Sequence, residues 1–161
     1  MYTSFDIAKK ILQIAKSEGE GVDPMKLLKM VYITHGWYLG FKDKPLINDS
    51  IQAWKFGPVI PDLYHAIKPY GSDNVDVNLM NIFSDKDVDS ETEDFIKIIW
   101  KNYRAKSGLD LSGLTHKEGT PWSNTYIPGV SSIPIPNETI KDHYKSKIAS
   151  AKERIKENQA D

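Results

Sequence analysis

Apolar residues recur at helical spacing from the start of the chain. Ile7, Ile11 and Ile14 form a stripe, Ala8, Leu12 and Ala15 widen it, and Gly19 stops it. Thr3 and Asp6 precede the stripe at the spacing of a capping box, with a carboxylate in place of the usual Glu. This pattern predicts a first amphipathic helix. Asp23-Pro24 predicts the start of a second, with Asp as N-cap and Pro at the first helical position. The residues that follow are apolar almost all round: Leu28, Val31, Tyr32, His35 and Leu39 on one side, Met30, Ile33 and Trp37 on the other. A helix of that kind belongs in the middle of a domain. Gly36 and Gly40 share a face, each at a cost of about 1 kcal/mol of helix propensity against Ala. Close approach of a neighbouring backbone is the expected reason, or for Gly40 a helix end.

The pattern changes over residues 41–61. Pro45, Gly57, Pro58 and Pro61 break any long helix, and Ile51–Phe56 suits a short strand. Trp54 and Phe56 would then share one face, with Ile51, Ala53 and the stem of Lys55 on the other. Pro61 opens a short helix through Leu63, Tyr64 and Ile67, closed by Pro69 and Gly71. Residues 72–94 are polar and acidic and read as a loop and a helix cap. Ser90 and Glu93 have capping-box spacing ahead of Phe95, Ile98, Ile99 and Tyr103, and acids at a helix start interact well with its dipole. Asp110 is placed to cap a short helix through Leu111, Leu114 and Thr115. After an irregular stretch holding Pro128, Gly129, Pro134 and Pro136, Asn137 opens a last helix. Its stripe is Ile140, Tyr144, Ile148, Ala151 and Ile155, with Lys and Glu on the solvated faces.

No repeat or long linker divides the chain. The prediction is a mainly α protein: a single compact helical domain over residues 1–161, with its core at about 5–148 and a charged helix end at 149–161. A short extended element is expected around residues 46–56.

Composition narrows the function classes. A chain of 161 residues buries roughly 70% of its unfolded surface, enough for a core without staples. With 40% hydrophobic and 27% charged residues the chain is globular rather than disordered. It has no cysteine, which excludes disulfides and thiolate metal sites and fits a reducing compartment. The first residues lack the layout of a signal peptide and no apolar run could span a bilayer, so a cytoplasmic address is expected, without membrane contact. The net charge of −1 gives no global field to attract nucleic acid.

Candidate chemistry is sparse. His35, His65, His116 and His143 form no metal-ligand spacing with one another or with a Glu. No phosphate loop and no Gly-x-Ser-x-Gly elbow is present. No catalytic residue, metal ligand or cofactor site is therefore assigned, and a binding protein rather than an enzyme is expected. His35 and His143 lie on or beside apolar stripes and read as hydrogen-bonded core residues. His116 stands beside Gly119, Pro121 and Trp122, where two roles are open. One is a structural hydrogen bond at a helix end; the other is a hydrolase or transferase group working with nearby acids, for which no second catalytic group is placed. The informative segment is Ala53–Tyr64. Large aromatics interrupted by Gly and Pro make a rigid shape with little entropy left to lose, which suits an interface. The same Trp54 and Phe56 could equally plug the core.

Four blocks carry a resemblance. Lys26–Tyr32 runs on to Gly36-Trp37-Tyr38-Leu39. Ala53–Val59 is followed by Pro61, Leu63-Tyr64 and Tyr70-Gly71. Leu114-Thr115-His116 precedes Gly119 and Pro121-Trp122, and the last helix carries Glu138, Ile140 and Tyr144. Together, over roughly residues 7–145, these blocks resemble the Panacea domain, the SocA-like and GepA-like family. The resemblance implies an antitoxin of a bacterial or prophage toxin–antitoxin pair, neutralising a cognate toxin protein by direct binding, with no cofactor and no catalytic set. It also implies two alternatives: a proteolytic adaptor delivering the toxin to a ClpXP-type protease, and a phage-encoded regulatory binding protein. Phe56 stands where a Tyr is more usual, and Ile33-Thr34-His35 replaces a smaller, more polar stretch; both bear on partner choice rather than fold. The candidate partner-binding residues are Trp54, Lys55, Phe56, Gly57, Pro58, Pro61, Tyr64, His116 and Trp122. The acidic stretch is suited to steer a basic toxin. A nucleic-acid partner is not expected, and the pattern says nothing about self-association.

Overall fold

The computed structural model describes residues 1–160. Helix α1 (Ser4–Ser17) starts in the predicted capping box: the Thr3 hydroxyl accepts from the Asp6 N–H, and the Asp6 carboxylate accepts from the Thr3 N–H at 2.9 Å. The other oxygen of Asp6 reaches much further along the chain. It accepts from the Ser84 hydroxyl at 2.6 Å and from the N–H groups of Asp85 and Lys86 at 2.9 and 3.1 Å. Burial on its own would raise the pKa of this carboxyl, but these donors outweigh burial and hold it below its ordinary value. One side chain thus caps a helix and fastens a distant loop to it.

Helix α2 (Pro24–Lys42) is the axis of the fold. Asp23 caps it, accepting from the Lys26 N–H at 2.9 Å, and every residue from Leu27 to Gly36 is buried. Both of its glycines face α8 (Asn137–Ala160). A methyl group at Gly36 would overlap the Tyr144 ring, and one at Gly40 would lie 3.0 Å from Tyr144 Cβ and 3.1 Å from Ile148 Cδ1. Close approach explains both positions; the helix ends beyond Gly40, at Asp43 with φ 58°.

His35 is fully buried and ties three segments together. Its Nδ1 faces the N–H groups of Leu46 and Ile47 at 3.3 and 3.4 Å, and its Nε2 lies 3.0 Å from Asn137 Oδ1. Backbone N–H can only donate, so Nδ1 accepts and Nε2 carries the proton given to Asn137. Burial pushes its pKa from 6.5 down to about 4, and the ring is neutral at pH 7.

The extended element differs from the single strand predicted over Ile51–Phe56. It is a hairpin of β1 (Gln52–Trp54) and β2 (Gly57–Val59), with Trp54 opposite Gly57 and with Lys55 and Phe56 at the tip. Gly57 has φ 125°, a conformation that side-chain-bearing residues rarely adopt, and the chain reverses there. Phe56 therefore does not share a face with Trp54. β3 (Ile133–Pro134), in the stretch predicted to be irregular, pairs with the other side of β1, giving the antiparallel order β2-β1-β3. Pro58 and Pro134 both sit on edge strands, where a missing N–H is tolerated.

Helix α3 (Pro61–Ile67) and a 3₁₀ turn (Lys68–Tyr70) follow as predicted, ending at Gly71. The acidic stretch then departs from expectation, because it contains α4 (Val77–Phe83). Asp76 caps this helix, Met80 is buried, and Phe83 stacks on Phe5 with ring centroids 5.0 Å apart. So short a helix owes its stability to packing rather than propensity, and it leaves little periodicity to read. Helix α5 (Ser90–Tyr103) is capped by Asp89, which accepts from the Thr92 N–H at 2.8 Å, and not by Ser90 with Glu93. Glu93 pairs instead with Lys10 at 2.9 Å. Helix α6 (Gly108–His116) begins in a Ser107–Asp110 capping box, so Asp110 is the third helical residue and not the cap. Helix α7 (Pro121–Thr125) is capped by Thr120.

α8 starts where predicted and lies against α2, with Ile140 and Tyr144 in the core. Its stripe outruns the core, since Ile155 is 56% exposed. Residue 161 of the charged end predicted over 149–161 lies outside the described residues. Among the described residues, no helix is long and apolar enough to cross a membrane.

Candidate functional site

The hairpin projects its tip into solvent: Lys55 is exposed and Phe56 is 71% exposed. A large apolar ring held out at a tight turn is uncommon in a structure whose other aromatics mostly pack on the core. Beneath the tip runs a groove of about 410 Å³, between the hairpin, the start of α2 and α3. Trp54, Phe56 and Tyr64 form one side of it, and Met25, Leu28, Val59 and Ile67 supply the apolar remainder. Trp54 is half-buried and meets Tyr64 edge-on at 5.0 Å, while its indole N–H donates to Gln52 Oε1 at 2.9 Å. Its far side borders a second hollow, of about 520 Å³, with Tyr126, Gly129 and Val130. Trp54 is thus a wall between two concavities, neither a core plug nor a free surface ring.

The back of the hairpin is what makes it rigid. The Trp122 indole N–H donates to the Trp54 carbonyl, and its ring stacks on Tyr126 at 4.8 Å. His116 donates from Nδ1 to the Ser112 carbonyl at the end of α6 and stands edge-on to Trp122 at 5.5 Å. A methyl group at Gly57 would approach His116 Cβ to 3.4 Å and Lys29 Nζ to 2.8 Å, so the tight backbone there serves packing as well as the turn. Ser112 adds a hydrogen bond from its hydroxyl to the Phe56 carbonyl at 3.3 Å. Pro61 sets the first turn of α3 and carries Tyr64 into the groove.

The nine residues singled out in the sequence therefore converge on one feature, in two roles. Trp54, Lys55, Phe56 and Tyr64 line the groove; Gly57, Pro58, Pro61, His116 and Trp122 hold its shape from behind or below. Sequence reasoning missed Lys29. It is 3% exposed, its Nζ donates to the Pro58 carbonyl at 2.9 Å, and it lies on the groove floor. Burial lowers its pKa from 10.5 to about 8, which leaves it charged at pH 7. The available signal was its place as the one formal charge inside the wholly buried stretch of α2.

Four acids of the acidic stretch are tied to neighbouring side chains. Asp87 pairs with Lys9 at 2.7 Å, Glu91 with Lys42 at 3.3 Å and Glu93 with Lys10 at 2.9 Å, and Asp89 accepts from the Tyr2 hydroxyl at 2.8 Å. Among the described residues, no three His, Cys, Asp or Glu side chains are grouped to hold a metal ion. A further apolar groove, of about 610 Å³, lies between the end of α2, α5 and α8, with Phe41, Ile98 and Ile155 on its walls. Met25 and Phe41, one in each groove, are sixteen residues apart on α2, or about 24 Å at 1.5 Å per residue.

The model of the family described as "Antitoxin SocA-like, Panacea domain" matches residues 27–123, which takes in α2 from Leu27 onward, the hairpin, α3 and the His116 and Trp122 segment. The chain is 26% identical over 155 residues to the protein named Antitoxin SocA of Caulobacter vibrioides (strain NA1000 / CB15N), covering 86% of this chain and 80% of that protein. No solved structure matches it.

Proposed function

The chain belongs to the SocA-like Panacea family, and we propose that it is an antitoxin that neutralises a cognate toxin protein by direct binding across the hairpin face. The observation that carries this reading is the rigid aromatic wall of Trp54, Phe56 and Tyr64 around an open apolar groove. Binding energy concentrates in aromatic anchors seated in preformed pockets, and a surface braced from behind loses little entropy on docking. The name of its Caulobacter relative, Antitoxin SocA, supports the same role. On this reading the protein is not an enzyme: His116 serves as a brace, its Nδ1 proton given to a main-chain carbonyl. The test is co-expression with the product of an adjacent gene. Relief of a growth arrest together with co-purification supports neutralisation; an arrest that persists, with no complex recovered, refutes it.

One observation favours a second reading, an adaptor that hands the toxin to a ClpXP-type protease. An adaptor needs two docking faces, and the two apolar grooves lie at opposite ends of α2. The toxin's half-life in cells with and without the protease separates the readings. Equal half-lives leave only neutralisation by binding.

A further inference from the structure

We propose that the groove under the hairpin takes an acidic, apolar segment of the partner protein, with a partner carboxylate seated against the Lys29 ammonium. The inference rests on the toxin-binding reading and deepens it by naming the chemistry of the bound segment.

The charges of the groove point one way. Its charged lining residues are Lys29, Lys55 and Lys68, and among the described residues no Asp or Glu lines it. Five lysines outside the groove pair with acids, among them Lys9 with Asp87, Lys10 with Glu93 and Lys145 with Asp43, whereas among the described residues none of the three groove lysines does. Lys55 and Lys68 stand at the rim beside aromatic rings, 5.4 Å from the Phe56 centroid and 5.9 Å from that of Tyr64. Lys29 is the telling one. An ammonium has three N–H donors, and among the described residues this one makes a single hydrogen bond, to Pro58, and no ion pair. A buried cation with two idle donors is unfavourable in the free protein, and a carboxylate arriving along the groove would satisfy both charge and donors.

The walls decide the class of partner. Met25, Leu28, Val59 and Ile67 call for apolar side chains, and the one buried lysine of the lining lies on the floor rather than along an open track. A nucleic-acid backbone needs a line of exposed cations for its phosphates. A peptide segment with Asp or Glu set among Leu, Ile or Phe fits both features. Rim lysines then set the encounter rate and the floor lysine the lifetime of the complex.

A random 12-residue peptide display library, selected on the intact protein, tests this. Enriched peptides are remeasured by fluorescence anisotropy against wild type, Lys55→Glu/Lys68→Glu, Lys29→Met and a control, Lys16→Glu/Lys101→Glu, which reverses two exposed lysines away from the groove. The expected result is enrichment of acidic peptides rich in apolar residues, whose affinity falls at least about tenfold in the Lys55/Lys68 variant and is unchanged in the control. Lys29→Met should lose binding as well. Because Lys29 also braces Pro58, the Lys55/Lys68 variant, which touches only exposed side chains, remains the deciding one. The proposal is overturned if enriched peptides are neutral or basic, if they bind that variant as well as wild type, if none is enriched, or if a labelled single-stranded oligonucleotide binds the groove instead. If these results overturn it while the wild type still relieves a toxin's arrest, toxin binding stands and only the chemistry assigned to the segment falls. If acidic peptides bind as expected and no toxin is neutralised, the groove is right and the antitoxin role is wrong.

Discussion

Lowering the pH from 7 to 5 should weaken the fold through His35, by an amount that can be worked out. In the folded protein its pKa lies at about 4, against 6.5 for a free imidazole, because burial of the ring outweighs the opposing hydrogen bond to Asn137. A base with a folded pKa below its unfolded value costs stability as the pH falls. Between pH 6.5 and 4 the unfolded chain takes up a proton that the folded chain refuses, so stability is full above 6.5 and drains away toward 4. The whole interval is worth roughly 3 kcal/mol, of which roughly 2 kcal/mol falls between pH 7 and 5. His143, whose pKa burial and the nearby Lys147 and Lys117 also lower, adds in the same direction. The comparison that isolates His35 is His35→Gln, whose amide can still accept and donate but cannot titrate. Urea unfolding of both proteins at pH 7, 6 and 5 supplies the assay. Wild type is expected to lose roughly 2 kcal/mol more than the variant over that range. Equal losses would show that His35 protonates alike in both states, and would refute its place as a neutral, buried junction.

Other expectations follow from the same geometry. Gly36→Ala should destabilise by at least about 2 kcal/mol in chemical denaturation despite better helix propensity, because its methyl group collides with Tyr144; a raised midpoint would contradict the α2–α8 packing. Tyr32→Phe should leave stability in thermal denaturation unchanged or raise it, by about 1 kcal/mol at most, because the hydroxyl is buried with no hydrogen-bond partner among the described residues. A fall of that size would mean that the hydroxyl is bonded. Phe56→Ala should change stability by less than about 0.5 kcal/mol, since the ring is exposed, yet weaken toxin binding at least tenfold in a titration of the purified pair.

The parts of the fold that were legible in the sequence are those set by near neighbours. The Thr3–Asp6 box and the Asp23-Pro24 start need only three or four residues of context, and both formed as read. The Gly36–Gly40 pair betrayed a close helix because glycine inside a helix has few other reasons. What escaped depends on distant contacts. Ile51–Phe56 alternates well enough to pass for one strand, and the reversal after Trp54 depends on Gly57 wedged against Lys29 and His116, groups far off in sequence. Ser90 and Asp89 are rival caps one residue apart, and the choice goes to Asp89, whose other oxygen also accepts from Tyr2. Asp6 reads as a capping residue and nothing local reveals that it also anchors residues 84–86.

The candidate site shows the same division. The Ala53–Tyr64 block announced its rigidity through Gly and Pro among aromatics, and the Trp122 bond to Trp54 is the distant contact that joins the Pro-Trp segment to it. Whether Trp54 and Phe56 were core or surface was undecidable by pattern, since both rings suit either place. Ile67 entered the groove unannounced because the periodicity of α3 already explains it, and Lys68 because a lysine in a short turn reads as solvated, whereas Lys29 was signalled only by its charge within an apolar run.

The most direct test of the central claim is growth of cells expressing the adjacent toxin candidate together with wild type, Trp54→Ala or Phe56→Ala, with complex formation read by co-purification. Wild type is expected to restore growth and carry the toxin through purification, and both variants to fold, by circular dichroism, yet to fail at both. Variants that neutralise as well as wild type would place the toxin on another face of the molecule and contradict the claim.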